Sequence, residues 1–102
     1  MPDLGTATQN FIQAQKDLND QAEKYAVAKR KHEEADKKLK REWAHWQKDP
    51  SETNATDLAD AQTAANTAGQ DEDQEANKFK TALDTFSQAY AEYMQAIYQL
   101  MF

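Results

Sequence analysis

Hydrophobic residues recur every seven positions along the first half of the chain. One heptad position holds Leu4, Phe11, Leu18, Tyr25, His32, Leu39 and Trp46, and the position three residues later holds Ala7, Ala14, Gln21, Ala28, Ala35 and Glu42. Side chains that repeat in this way line one side of a helix, where they pack against another helix. Thr6 and Gln9 fit a capping box at its start. The pattern predicts a first helix over about residues 6–48.

The same repeat returns in the second half. Its larger position holds Leu58, Ala65, Glu72, Phe79, Phe86, Tyr93 and Leu100, and its smaller position holds Ala61, Ala68, Glu75, Ala82, Ala89 and Ala96. Asp49, Pro50 and Ser51 separate the two repeats and carry a turn signal. We therefore expect a turn over about residues 49–56 and a second helix over about residues 57–101.

Reversing the chain at residue 52 pairs positions whose numbers add to about 104. Large seam positions then face one another, as in the pairs Leu4 and Leu100, Phe11 and Tyr93, Leu18 and Phe86, Tyr25 and Phe79, and Trp46 and Leu58. The basic residues 29–31 also come alongside the acidic residues 71–73, and such a match favours the antiparallel orientation. The predicted fold is all-α, a single domain over residues 1–102 that forms a long antiparallel two-helix hairpin with an alanine-rich, coiled-coil-like seam.

One segment weakens the second helix. Gly69 costs about 1 kcal/mol of helix propensity relative to alanine, and three acidic residues follow at 71–73. We expect an uninterrupted helix here. The alternatives are a kink near residues 69–73, or a break there into a three-helix arrangement.

A polar pair interrupts the hydrophobic seam, because the predicted register sets His32 opposite Glu72. We interpret the pair as a polar layer that fixes the register of the two helices. A sharper alternative is a pH-sensitive latch, since histidine titrates near neutrality.

The last twenty residues carry more apolar surface than a two-helix seam needs. Leu83, Tyr90 and Ile97 form one additional stripe, Met94 and Met101 form another, and Tyr98 and Phe102 lie near them. We predict a docking face for self-assembly or for another protein, because aromatic residues and methionine are enriched at interfaces. The predicted partner-binding residues, here called the C-terminal face, are Leu83, Tyr90, Met94, Ile97, Met101 and Phe102. The alternative is a locally thicker core around which the N-terminal residues wrap.

Composition and charge exclude several other classes of protein. The chain has 102 residues, a net charge of −6 and no cysteine. A nucleic-acid partner is therefore not expected, nor is a disulfide or a thiolate metal site. No apolar run reaches the roughly 18 residues of a membrane span, and residues 1–10 are polar. We expect a cytoplasmic protein, or one secreted without a cleaved signal peptide.

Candidate catalytic chemistry is sparse. Glu42 and His45 have the Glu-x-x-His spacing of carboxylate-bridged metal sites in helical bundles. Such a site needs further carboxylates and a second histidine that face inward, and the chain has two histidines in all. We expect no enzyme activity, no catalytic residue, no bound metal and no cofactor.

Two families of small secreted helical hairpins resemble this chain in architecture. Residues 48–50, 58–62 and 97–102 are similar to the turn region and C-terminal end of the needle subunits of type III secretion, although the chain is longer and more acidic and lacks their Tyr-Asn element. The length also resembles the W-x-G family of the early-secreted-antigen type, but no glycine stands two residues after Trp43 or Trp46. The resemblance implies a role in secretion or assembly and assigns no residue.

These observations lead to two hypotheses about function. The first is a non-enzymatic module for protein–protein interaction or assembly, possessing a C-terminal face that binds a second copy or a helical partner, in a bacterial secretion or virulence setting. The alternative is a small acidic inhibitor or adaptor, such as a phage-encoded one, that binds a basic target through its acidic second half. Residues 51–102 hold nine acidic and two basic side chains.

Overall fold

The computed structural model describes residues 3–102, and two long helices account for nearly all of them. Helix α1 spans Leu4–Lys48 with 45 residues, and helix α2 spans Glu52–Met101 with 50 residues. No strand occurs within residues 3–102. The predicted fold class, an all-α helical hairpin, is confirmed.

Asp3 sets the beginning of α1. The backbone N–H of Thr6 donates to Oδ1 of Asp3 at 2.7 Å, and the N–H of Ala7 donates to the carbonyl of Asp3 at 2.9 Å. Hydrogen bonds from the backbone and the side chain of Thr6 hold the pKa of the Asp3 carboxyl below its usual range. An aspartate N-cap satisfies free N–H groups and lies at the positive end of the helix dipole. The helix therefore begins two residues earlier than the sequence predicts, and Asp3 caps it in place of Thr6.

The turn between the helices is shorter than predicted, because Ser51 caps α2. The N–H of Asn54 donates to Oγ of Ser51 at 3.1 Å, and the side-chain amide of Asn54 donates to the carbonyl of Asp49 at 2.8 Å. Glu52 then occupies the first turn of the helix, where its negative charge is favourable. Only residues 49–51 lie outside the two helices at this end, where residues 49–56 were expected.

Helix α2 is continuous through Gly69. No residue in the described chain has a positive φ. A Cβ atom at position 69 would lie 3.3 Å from Nε2 and 3.4 Å from Cε1 of His32. Glycine therefore makes room for the imidazole ring and does not break the helix, so the alternative of a break near residues 69–73 into a three-helix arrangement is wrong.

Tertiary contacts group the chain into two compact units, each with a segment of both helices. The terminal unit joins the chain up to Lys24 with the residues from Ala76 onward, and the turn unit is Tyr25–Glu75. In the terminal unit the ring of Phe11 lies 5.4 Å from that of Phe86 and 5.0 Å from that of Tyr93. The predicted neighbours Phe11 and Tyr93 do meet, which supports the antiparallel register there.

Alanine forms the buried part of the seam. The buried hydrophobic residues are Ala7, Ala14, Ala28, Ala61, Ala65, Ala89 and Ala96. Most larger heptad residues, such as Phe11, Leu39 and Phe86, are half-buried. Small side chains let two helices approach closely, but a single neighbouring helix cannot enclose a large side chain on all sides. No large side chain within residues 3–102 is fully buried.

The buried part of the seam ends before the last heptad position. Ala96 is buried, whereas Leu100 is 70% exposed. The predicted packing of Leu100 in the seam opposite Leu4 is therefore wrong. Leu4 lies in the first turn of α1, so little helix remains beside the end of α2 to cover Leu100.

Candidate functional site

The polar pair His32 and Glu72 lies in the turn unit, where Nδ1 of the histidine is hydrogen-bonded to the carboxylate. Nε2 of His32 lies 3.4 Å from Oδ2 of Asp36, one helical turn further along α1. The His32 side chain is 32% exposed and that of Glu72 is 21% exposed. The predicted proximity of the two residues is confirmed, and their role in fixing the register stays a prediction.

The carboxylates around His32 raise its pKa above the ordinary value. The hydrogen bond to Glu72 is the largest cause, and the negative charges of Asp36, Glu72 and Asp73 act in the same direction. Partial removal of the ring from water opposes this effect. The site therefore favours the imidazolium form, which can donate to a carboxylate on each side.

The basic and acidic segments of the turn unit do not form the expected ion pairs. Lys29, Arg30 and Lys31 are all exposed, and none of them has an ion pair in the part of the chain that the structure describes. Asp71 and Asp73 are also exposed. Long side chains in water gain little from such pairs. The acidic segment instead contacts His32, the residue that follows the basic segment, through Glu72.

The C-terminal face is largely exposed. Leu83 and Tyr90 are 44% and 49% exposed, Met101 is 68% exposed and Phe102 is 95% exposed. Met94 and Ile97 are half-buried. The N-terminal residues from 4 onward form α1 and do not wrap around this face.

Five of these residues, together with Ser87, form one regular row on α2. The row, here called the stripe, consists of Leu83, Ser87, Tyr90, Met94, Ile97 and Met101, with spacings that alternate between four and three. This spacing is that of a coiled-coil seam. Ser87 is absent from the predicted C-terminal face because it is polar, although the positions of its neighbours mark it as the sixth member of the row.

The stripe and the seam are different faces of α2. At about 100° of rotation per residue, the stripe is centred roughly 90° around the helix from the seam positions Phe86, Ala89, Tyr93 and Ala96. Tyr90 lies at the boundary between them, since its ring is 5.8 Å from that of Phe11 and yet remains half-exposed. A helix with two apolar faces is typical of bundles with more than two helices.

Two tryptophans lie at the end of α1 beside the turn. The rings of Trp43 and Trp46 are 5.7 Å apart, and Trp43 remains half-exposed. Nearby, Oε2 of Glu42 lies 3.6 Å from Nδ1 of His45. Within residues 3–102 no group of three or more side chains is placed to hold a metal ion.

The terminal unit also contains an open groove of about 300 Å³ that none of the stripe residues line. Asn10, Asp17, Gln88 and Glu92 are among the residues that line it. Small-molecule sites are concave and bury most of their ligand, whereas this groove is open to solvent.

Neither helix, over the residues that the structure describes, contains a stretch that is long and apolar enough to cross a membrane. The chain matches no family model, no curated protein and no solved structure. The resemblance to secreted helical hairpins therefore stays a prediction. Two features of the described residues are candidates for a functional role. One is the stripe, together with Phe102 next to its last member, and the other is the polar pair His32 and Glu72.

Proposed function

We propose that this chain is a non-enzymatic assembly module that associates through the C-terminal face, in the first place with itself. The observation that carries the proposal is the second apolar row on α2, which remains accessible after α1 has covered the seam. Exposed apolar area of this kind marks protein–protein interaction sites. Exposed Tyr90 and Phe102 add aromatic anchors, which dominate interface energetics.

The architectural resemblance to secreted helical hairpins supports the same proposal from another direction. In the needle subunits of type III secretion, the C-terminal helix polymerises. Residues 97–102 are one of the segments that resemble those subunits, and they also carry Met101 and Phe102 of the C-terminal face. On this basis we place the module, as a proposal, in a bacterial secretion or virulence setting.

The test is the molar mass in solution over a wide concentration range. Wild type should exceed the monomer mass as concentration rises, whereas the double variant Leu83→Ser/Met101→Ser should remain monomeric. Val27→Ser is the matched control, because it also removes an exposed apolar side chain but belongs to the turn unit and is not part of the C-terminal face. Strictly monomeric wild type, or a double variant that associates like wild type, would contradict self-assembly through this face.

A second candidate function rests on the acidic surface of α2. Residues 52–75 contain seven acidic side chains and no basic one, and Asp71 and Asp73 are exposed. Such a surface suits a small inhibitor or adaptor with a basic target. Replacing both aspartates by asparagine leaves the His32 and Glu72 pair in place. Loss of binding to a cationic peptide in this variant, with unchanged self-association, would favour the second candidate.

A further inference from the structure

We propose that the stripe of one copy binds the same stripe of a second copy in the antiparallel orientation, about a two-fold axis. The inference rests on the proposed function and specifies its partner. Three features of the described residues support it: the spacing of the stripe, the sizes of its side chains, and the charge and area around it.

The spacing makes the stripe complementary to itself. Its intervals along α2 are four, three, four, three and four residues, which read the same in both directions. In an antiparallel pair, positions whose numbers add to 184 therefore share a layer. Leu83 meets Met101, Ser87 meets Ile97 and Tyr90 meets Met94, and each contact occurs twice. This reciprocity is what a two-fold interface requires.

Side-chain size favours the antiparallel pairing over the parallel one. In the parallel arrangement each residue would face its own copy, so that Ser87 would meet Ser87 in a polar layer and Tyr90 would meet Tyr90 in a crowded one. In the antiparallel arrangement the small Ser87 faces the larger Ile97, and the ring of Tyr90 faces the flexible Met94. Layers that combine large and small side chains interdigitate well, and sulfur–aromatic contacts are favourable.

Few charged side chains lie near the stripe, which suits an apolar contact between two copies of it. Residues 83–102 contain two charged side chains, Asp84 and Glu92. At about 100° per residue, Glu92 lies on the side of α2 opposite the stripe, and Asp84 lies at its margin. Interface cores are depleted in charged residues. The stripe of a second copy is equally poor in charge and therefore suits such an interface core. A basic partner would find few carboxylates here with which to pair.

Exposed apolar surface lies along the stripe itself. Leu83, Tyr90 and Met101 are 44%, 49% and 68% exposed, and at about 150–250 Å² per aromatic side chain Tyr90 alone leaves roughly 75–125 Å² per copy. Tyr98 is 58% exposed and lies roughly 60° from the centre of the stripe at about 100° per residue, so it adds ring surface beside the row. A contact of this size is smaller than the roughly 1,200–2,000 Å² of a standard interface, so the proposed dimer is a weak one that forms as concentration rises.

The main experiment uses charges that are complementary only in the antiparallel pairing. Leu83→Glu alone and Met101→Lys alone should each weaken self-association at least about tenfold, because each buries a charge without a partner. An equimolar mixture of the two should recover a dimer, since Glu at 83 of one copy then faces Lys at 101 of the other. Analytical ultracentrifugation measures the masses, and far-UV circular dichroism verifies that each variant retains its helices.

A mixture of Leu83→Glu with Leu83→Lys is the control, and it should remain monomeric. Recovery in this control mixture, and not in the first, would overturn the antiparallel pairing and leave assembly through the C-terminal face intact. If Leu83→Glu self-associates like wild type, both this inference and the proposed site of assembly are wrong.

The absence of native cysteine permits a second measurement with smaller side chains. Ser87→Cys and Ile97→Cys, mixed under mild oxidation, should form a disulfide between the two variants faster than either variant links to itself. Preferential self-linking of Ser87→Cys would again indicate the parallel pairing and contradict the inference.

Discussion

The backbone of Gly69 lies against the imidazole ring of His32, so closely that a Cβ atom at position 69 would come within 3.3 Å of Nε2. This ring is also hydrogen-bonded to Glu72, one helical turn along α2 from the glycine. The close approach of the helix and the hydrogen bond therefore belong to one local arrangement.

The first prediction concerns Gly69→Ala. Alanine gains about 1 kcal/mol of helix propensity over glycine, but its Cβ crowds the His32 ring, which the hydrogen bond to Glu72 holds in place. We expect the substitution to increase the free energy of unfolding by about 1 kcal/mol in a His32→Ala background and by clearly less in wild type. Urea denaturation of the four proteins gives both differences. Equal gains in the two backgrounds would show that the ring and residue 69 are not coupled.

The second prediction is a dependence of stability on pH. Because the surrounding carboxylates raise the pKa of His32 above its ordinary value of about 6.5, the folded protein binds the proton more tightly than the unfolded chain does. The resulting stabilisation is fully present below about pH 6.5 and is lost as pH rises through the higher pKa of the folded state. We expect the melting temperature to decrease between about pH 6 and pH 8.

Two variants test the origin of this pH effect. His32→Gln should flatten the pH profile, whereas His45→Gln should retain it, because His45 is exposed beside the turn. The charged groups that face His32 are Asp36 on α1 and Glu72 and Asp73 on α2. An unchanged profile in His32→Gln would assign the pH dependence to other groups.

The third prediction concerns the cap of α2. Ser51→Ala removes the oxygen that accepts from the N–H of Asn54, and the loss of an N-cap costs about 1 kcal/mol. Thr53→Ala is the control, since Thr53 is exposed two residues further along the same segment. Thermal or urea unfolding should show that Ser51→Ala is less stable than Thr53→Ala. Equal stability of both would mean that Ser51 is not the effective cap.

Much of this hairpin could be predicted from the sequence, because heptad spacing directly reports which side of a helix is covered. Phe11 with Tyr93, and His32 with Glu72, follow from spacing and a single reversal point. Gly69 could not be interpreted in the same way. Helix propensity is a local quantity and indicated a weak point, whereas the role of the glycine depends on His32, which is 37 residues away in the sequence.

The ends of the helices and the exposure of the C-terminal face could not be predicted from local sequence patterns either. Asp3 and Thr6 are both acceptable N-caps of α1, so the choice between them depends on which side-chain oxygen reaches a free N–H. The apolar surplus of residues 83–102 was visible in the sequence. Its exposure could not be inferred, because that depends on how far the beginning of α1 extends beside the end of α2.

The last prediction concerns the aromatic cluster of the terminal unit. The ring of Phe11 lies within 5.8 Å of those of Phe86, Tyr90 and Tyr93, so Phe11→Ala removes the α1 side of three ring contacts at once. A fully buried phenylalanine costs about 3–5 kcal/mol on such truncation. Because Phe11 is half-buried, we expect its truncation to lower the free energy of unfolding by about 2 kcal/mol.

Ile12→Ala is the matched control at the next position, where the side chain is exposed, and should cost less than about 0.5 kcal/mol. Urea unfolding at a concentration where the protein is monomeric separates this packing effect from self-association. Similar losses in both variants would mean that the cluster does not stabilise the pairing of α1 with α2 in this unit.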